Sequence, residues 1–235
     1  MKDIIIKVEN LSKEYLLGEV KVEALIDATF DIHEGEFVVI LGPSGSGKST
    51  LLNIIGGMDT ATSGRAYLKD REITSMNEAQ LTNFRKNNVG FVFQFYNLMS
   101  NLTAEENIEL STEISEDPLP IDEVLDGVGL TDRRNHFPSQ LSGGEQQRIS
   151  IARAIAKNPD LILCDEPTGA LDYITGISVL ALLKKLNTEM NKTVIVITHN
   201  SAIADMADRV IKLRSGRIVE NHLNEKVIRP EEVAW

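Results

Sequence analysis

Short apolar runs bounded by turn residues alternate along the chain with longer segments of helical periodicity. That pattern predicts a parallel sheet joined by crossover helices. Residues 36–41, 88–93, 160–164 and 193–198 are apolar almost without alternation, as expected of strands covered on both faces. Residues 4–8, 28–33 and 65–68 differ. They alternate, or are short with polar flanks, and predict an antiparallel sheet in the first third. Residues 209–213 and 217–220 flank Ser215-Gly216, a hairpin-like turn. Helical spacing is clearest over 49–56, 145–157 and 174–190. No strand candidate falls between about Phe95 and Lys157, so that stretch predicts a helical lobe inserted into an α/β core.

Composition narrows the class. A chain of 235 residues that is 42% hydrophobic is long and apolar enough for a substantial core in one large domain. The single cysteine, Cys164, forms no internal disulfide, so nothing points to an oxidising compartment. No apolar run approaches the roughly 18 residues of a bilayer span, and the continuous apolar run near the start is only residues 4–6. The chain is expected to be cytoplasmic, with any membrane link made through a partner.

The 24 basic residues against 35 acidic ones give a net charge of −11, which argues against non-specific binding to nucleic acid. The excess is concentrated. Between Asn101 and Asp132 there are ten acids and no Lys or Arg, which leaves the rest of the chain at −1.

Two motifs carry chemistry. Gly42-Pro43-Ser44-Gly45-Ser46-Gly47-Lys48-Ser49-Thr50 follows a predicted strand and opens a predicted helix, the context in which G-x-x-x-x-G-K-[ST] binds nucleotide phosphates. Gly42, Gly45 and Gly47 are expected to take positive φ, so that successive N–H groups face phosphate oxygens. The helix N-terminus adds positive potential there. Lys48 is placed to reach the β- and γ-phosphates, and the Ser49 hydroxyl to ligate Mg²⁺. The second motif is an apolar strand ending in Asp165-Glu166-Pro167. Asp165 suits a water-mediated contact to Mg²⁺, and Glu166 is placed to orient or deprotonate an attacking water.

Many ATPases and GTPases share those two features; Leu141-Ser142-Gly143-Gly144-Glu145-Gln146-Gln147-Arg148 separates them. It resembles the signature of ATP-binding cassette proteins. By itself it reads as a capped helix start, with Ser142 as N-cap, Glu145 three residues on, and Gly143 and Gly144 allowing close approach of an anion. The resemblance covers about residues 4–220. It implies an α/β P-loop NTPase (RecA-like) core with an N-terminal antiparallel β subdomain, the core lying in 1–94 and 158–235 and the helical subdomain in 95–157.

Further roles follow from the resemblance alone. In that family the signature of one subunit covers the γ-phosphate held by another, so two ATP molecules are sandwiched in a head-to-tail dimer. Gln94 matches the Q-loop glutamine, which touches Mg²⁺ or the attacking water. Gly169-Ala170-Leu171-Asp172 resembles the D-loop, with Asp172 at the dimer interface; an N-cap for the helix that follows is the plainer role. His199 resembles the switch histidine on the γ-phosphate. Tyr15 falls where an aromatic lies under adenine; the alternative is a tyrosine packed on the sheet.

Residues 91–98, 102–107 and 138–142 resemble the branch that powers lipoprotein release, macrolide efflux and resistance to peptide antibiotics. The resemblance implies an ATP-dependent homodimer on the inner face of the cell membrane. Its permease would have few spans and a large extracytoplasmic domain, with no nucleic-acid partner. The competing reading is a soluble cassette ATPase acting on ribosomes or DNA. One cassette, a short insert and the acidity all weigh against it. A phosphate-loop kinase or GTPase gives no reason for residues 141–148.

Overall fold

The computed structural model describes residues 3–234. Two 14-residue antiparallel strands, β1 (Ile4–Leu17) and β2 (Val20–His33), open the chain. β3 (Phe37–Leu41) then leads into α1 (Lys48–Ile55), followed by β4 (Ser63–Leu68), β5 (Arg71–Glu72), α2 (Glu78–Asn88) and β6 (Val89–Val92). Helices α3 (Ala104–Thr112), α4 (Ile121–Gly127) and α5 (Gly143–Ala156) come next with no strand between them. After β7 (Leu161–Asp165) and α6 (Tyr173–Glu189), the strands β8 (Thr193–Thr198), β9 (Arg209–Arg214) and β10 (Arg217–Leu223) follow.

The strands form two sheets, ordered β2-β1-β4-β5 and β10-β9-β3-β8-β7-β6. The second is parallel from β9 to β6, with β10 antiparallel at its edge. All of β3 and β8 is buried. Val39, Ile162, Cys164 and Val196 point into a core shared with α5 and α6, while Val38, Leu163, Ile195 and Ile197 point into another shared with α1 and the antiparallel sheet. Both faces being covered, these strands need no polar positions, hence their unbroken apolar runs. Cys164 is free and fully buried, and burial raises its thiol pKa, so it acts as a small apolar residue.

Register positions the site. Leu41 pairs with Thr198 and Asp165 with Ile197, so the C-terminal ends of β3, β7 and β8 lie side by side. In open α/β sheets ligands bind in the crevice beyond those ends.

Two points depart from the expected elements. β1 and β2 run far beyond residues 4–8 and 28–33, because bulges near Asn10 (φ 50°) and Asp27 (φ 53°) break their alternation. The sequence reading contains no α2: it buries only Leu81 and Phe84, and its start is set by a capping box between Asn77 and Gln80. The acidic stretch is partly offset within the chain. Arg134, just past it, donates two hydrogen bonds to Glu105, one of them Nε to Oε2 at 3.0 Å, and a third to Asp122 at 2.9 Å. Glu106 is spent on its own helix, accepting the Thr103 N–H at 2.7 Å.

Candidate functional site

A cavity of about 810 Å³ opens at the ends of β3, β7 and β8. On one side it is lined by Ser44, Gly45 and residues 47–50, and opposite by Gln94, Asp165, Glu166 and His199. The loop beneath it is shaped by its glycines, though not uniformly. Gly45 (φ 76°) and Gly47 (φ 100°) take the positive φ expected of them, while Gly42 does not. Gly42 is required for space instead, because a Cβ there would lie 2.5 Å from the Leu213 carbonyl and 2.4 Å from Ser46 Oγ. Gly47 is the N-cap of α1 and offers no side-chain acceptor, so the first N–H groups of the helix are left for a ligand.

Lys48 is buried, and its ammonium donates to the carbonyls of Gly42 (2.7 Å) and Pro43 (3.1 Å). Burial lowers its pKa, against the pull of Glu166 and Asp165. Burial also raises the pKa of Asp165, helped by the Glu166 charge and opposed by a hydrogen bond from Ser49 and the charge of Lys48. The two groups line the same cavity and interact through their charges.

Glu166 sits at φ 47°, an uncommon conformation for a residue with a Cβ. Its N–H donates to the Ile197 carbonyl at 3.0 Å, which holds the turn against β8. Glu166 Oε2 accepts from Thr198 Oγ1 at 2.9 Å, and Oε1 from the His199 N–H at 3.0 Å, with His199 Nδ1 at 2.8 Å. The carboxylate is thus aimed by three groups from one strand end.

Gln94 packs against Gly169, where a Cβ would lie 3.0 Å from Nε2. The loop beyond it turns through Tyr96 (φ 58°) and Asn97 (φ 51°), whose carbonyls accept from Arg153 of α5 at 2.9 and 2.6 Å. This ties the Gln94 loop to the helical segment. Tyr15 does not line the cavity but pairs across the sheet with Val22, which does. Its hydroxyl donates to Asp59 at 2.6 Å, and the Lys13 ammonium lies 4.9 Å from its ring centre.

The remaining predicted residues lie outside the cavity. Ser142 is exposed and caps α5 by a reciprocal pair with Glu145. Gly143 abuts the Tyr96 hydroxyl, and a Cβ on Gly144 would meet Thr175 Cγ2 at 2.2 Å. Close packing of α5 on α6 is therefore the structural demand on Gly144, beyond the approach of an anion. Asp172 is exposed and caps α6, accepting from Thr175 N at 3.1 Å and Thr175 Oγ1 at 2.6 Å. Both hydrogen bonds lower its pKa.

Sequence reasoning missed two residues here. Thr198 aims Glu166, and its only sequence signal is a hydroxyl at the end of an apolar strand. Gln147 is fully buried and donates to the Pro167 carbonyl at 2.8 Å, joining α5 to the turn after Glu166. A polar residue on the inner face of an amphipathic helix was the clue.

A family model described as ABC transporter matches residues 25–169. The chain belongs to the ABC transporter ATP-binding family. An uncharacterized ABC transporter ATP-binding protein of Thermotoga maritima is 49% identical over 211 residues, covering 88% of this chain and 90% of that one. The macrolide export ATP-binding/permease protein MacB of Brucella abortus is 44% identical over 232 residues, covering 97% of this chain but only 36% of MacB. Among solved structures, a dimeric post-hydrolysis state of the ATP-binding cassette MJ0796 bound to ADP and Pi has a TM-score of 0.84 at 43% identity, covering 93% of this chain and 98% of that one. This ABC cassette is accordingly the ATP-binding and ATP-hydrolysing subunit of a membrane transporter.

Proposed function

We propose that two copies of this cassette close on two ATP molecules, that hydrolysis reopens them, and that the cycle drives export or extraction through a separate permease. The observation that carries this reading is a division of the motifs. The phosphate loop, Gln94, Asp165, Glu166 and His199 line one cavity, while Ser142, Gly143, Gly144 and Asp172 sit outside it at the starts of α5 and α6. A site split this way is completed by a second copy.

In the closed pair, Lys48 and the backbone N–H groups of Gly45 and residues 47–50 hold the phosphates, and the base stacks at the cavity edge, where Tyr15 adjoins the lining residue Val22. Glu166 takes the proton of the attacking water, and His199 with Gln94 fixes the geometry. Among the described residues no group of three or more His, Cys, Asp and Glu forms a metal cage. Ser49 bonded to Asp165, with Gln94 in the same cavity, instead fits Mg²⁺, which is bound through one or two protein ligands, waters and substrate phosphates. When bound, Mg²⁺ supplies positive charge to the phosphate oxygens.

Residues 95–157 move as the helical subdomain, tied to the cavity through Arg153. Their remaining open acids receive a basic element of the permease, whose large extracytoplasmic domain handles a drug, peptide or lipoprotein. The MacB name, which joins ATP-binding and permease functions, supports the partner class. No described helix is long and apolar enough to cross a membrane, so the cassette would sit peripherally on the inner face. Tagged full-length chain, purified from detergent-solubilised membranes, should bring down an integral membrane subunit. Recovery with ribosomes or DNA instead would overturn this reading.

A further inference from the structure

Beyond β10 the chain doubles back and anchors on two segments that adjoin the catalytic groups. Asn224 Nδ2 donates to the carbonyls of Ala204 and Ala207, both at 2.8 Å, and its backbone N–H donates to the Asp208 carbonyl at 3.0 Å. The Ile228 N–H donates to the Asp205 carbonyl at 3.0 Å. These carbonyls belong to the 3₁₀ helix Ser201–Met206 and its exit. Further on, Pro230 and Val233 are buried, Val233 in the core beneath α6, and Tyr173 Oη donates to the Val233 carbonyl at 2.9 Å.

Each anchor lies close to the site. The 3₁₀ helix starts right after His199-Asn200, and the Asn200 N–H donates at 3.1 Å to Thr198 Oγ1, the same hydroxyl that aims Glu166. Tyr173 is the first residue of α6 and adjoins its cap, Asp172. Six residues is long for a 3₁₀ helix, whose hydrogen bonds are poorly aligned, so its carbonyls depend on donors from elsewhere. Asn224 supplies one to Ala204 inside the helix and another to Ala207 at its exit. A continuous path thus runs from Glu166 through Thr198, Asn200 and the 3₁₀ helix to Asn224, and on through Val233 and Tyr173 to Asp172.

We infer that residues 224–233 are a strap that sets the His199 turn and the Asp172 end of α6 relative to each other, making Asn224 and Tyr173 positioning residues for ATP hydrolysis. The inference rests on the roles assigned above to Glu166, His199 and Asp172. Nothing in the strap lines the nucleotide cavity, so ATP affinity is not where its effect falls.

The test uses the full-length chain with Asn224→Asp, which keeps the size and removes the donors, and Tyr173→Phe, which keeps the ring. Each is made singly, and then the two together. Each single variant should lower kcat about fivefold with KM for ATP within about twofold, and the double variant should lose no more than one single, because either change releases the same strap. Wild-type kcat in both singles, losses that multiply in the double, or losses that follow a fall in melting temperature would each overturn the strap. Asn224→Ala enters the same cycle if the aspartate, repelled by two carbonyls, prevents folding. Glu166→Gln is measured alongside. If it retains turnover, the underlying reading fails; if it loses turnover while the strap variants match wild type, the strap alone fails.

Discussion

Glu166 and His199 are joined twice, since both the backbone N–H and the ring Nδ1 of His199 meet the same carboxylate oxygen, at 3.0 and 2.8 Å. The other oxygen is held by Thr198 at 2.9 Å. A carboxylate so held points one way, which suits a group that must take a proton from a water in a fixed place.

Glu166→Gln keeps the side-chain shape and removes the base. Turnover should fall at least about a hundredfold with ATP binding intact, and an ATP-dependent dimer should accumulate on size exclusion. Near-normal turnover would remove Glu166 from its role.

Thr198→Val keeps the buried volume and removes the hydroxyl that aims Glu166. About a tenfold loss in kcat is expected, since hydrogen bonds to charged groups are stronger than neutral ones. Steady-state kinetics at saturating ATP measure it, and an unchanged kcat would show that two contacts from His199 suffice.

Gly144→Ala drives a methyl into Thr175 Cγ2 and should cost about 1–3 kcal/mol in denaturant unfolding. Thr175→Ser removes that methyl while keeping the hydroxyl on Asp172, so the pair should recover most of the loss. Failure of the second change to rescue the first would mean the clash lies elsewhere.

Burial, joined by the charges of Arg153 and Arg85, pushes the Lys157 ammonium down to about 8. In the unfolded chain a lysine titrates near 10.4. Between those values the unfolded chain binds more protons, so this group makes stability rise with pH across that window. Lys157→Met should lack that rise in unfolding experiments run from about pH 8 to 10.5. Parallel curves for the two proteins would contradict it.

Glu105 and Glu106 are engaged within the chain, whereas Glu109 and Glu113 make no ion pair among the described residues. Reversing Glu109 and Glu113 to Lys should therefore weaken recovery of the permease several-fold with ATP binding unchanged. Undiminished recovery would reject charge complementarity as the basis of partner choice.

The central strands were legible because full burial leaves an unbroken apolar run, and the phosphate loop because its residue types are set by contact with a ligand. Residues 49–56 and 145–157 missed the ends of α1 and α5 by two residues or fewer. α2 was not legible, since two buried residues in eleven make too narrow a stripe to register as a period. The reason for Gly42 lay out of reach as well: the Leu213 carbonyl that excludes a side chain there is 171 residues away in the chain. Likewise Arg134 offsets Glu105 only after folding brings α3 and the turn before α5 together.

Lys48 spends two of its three ammonium N–H groups on the carbonyls of Gly42 and Pro43. The loop is thus wrapped around its own lysine and held in shape by an internal cation. An incoming phosphate has one remaining N–H to meet and little chain to order, so most of the entropy of arranging this loop is spent during folding and little is charged to binding.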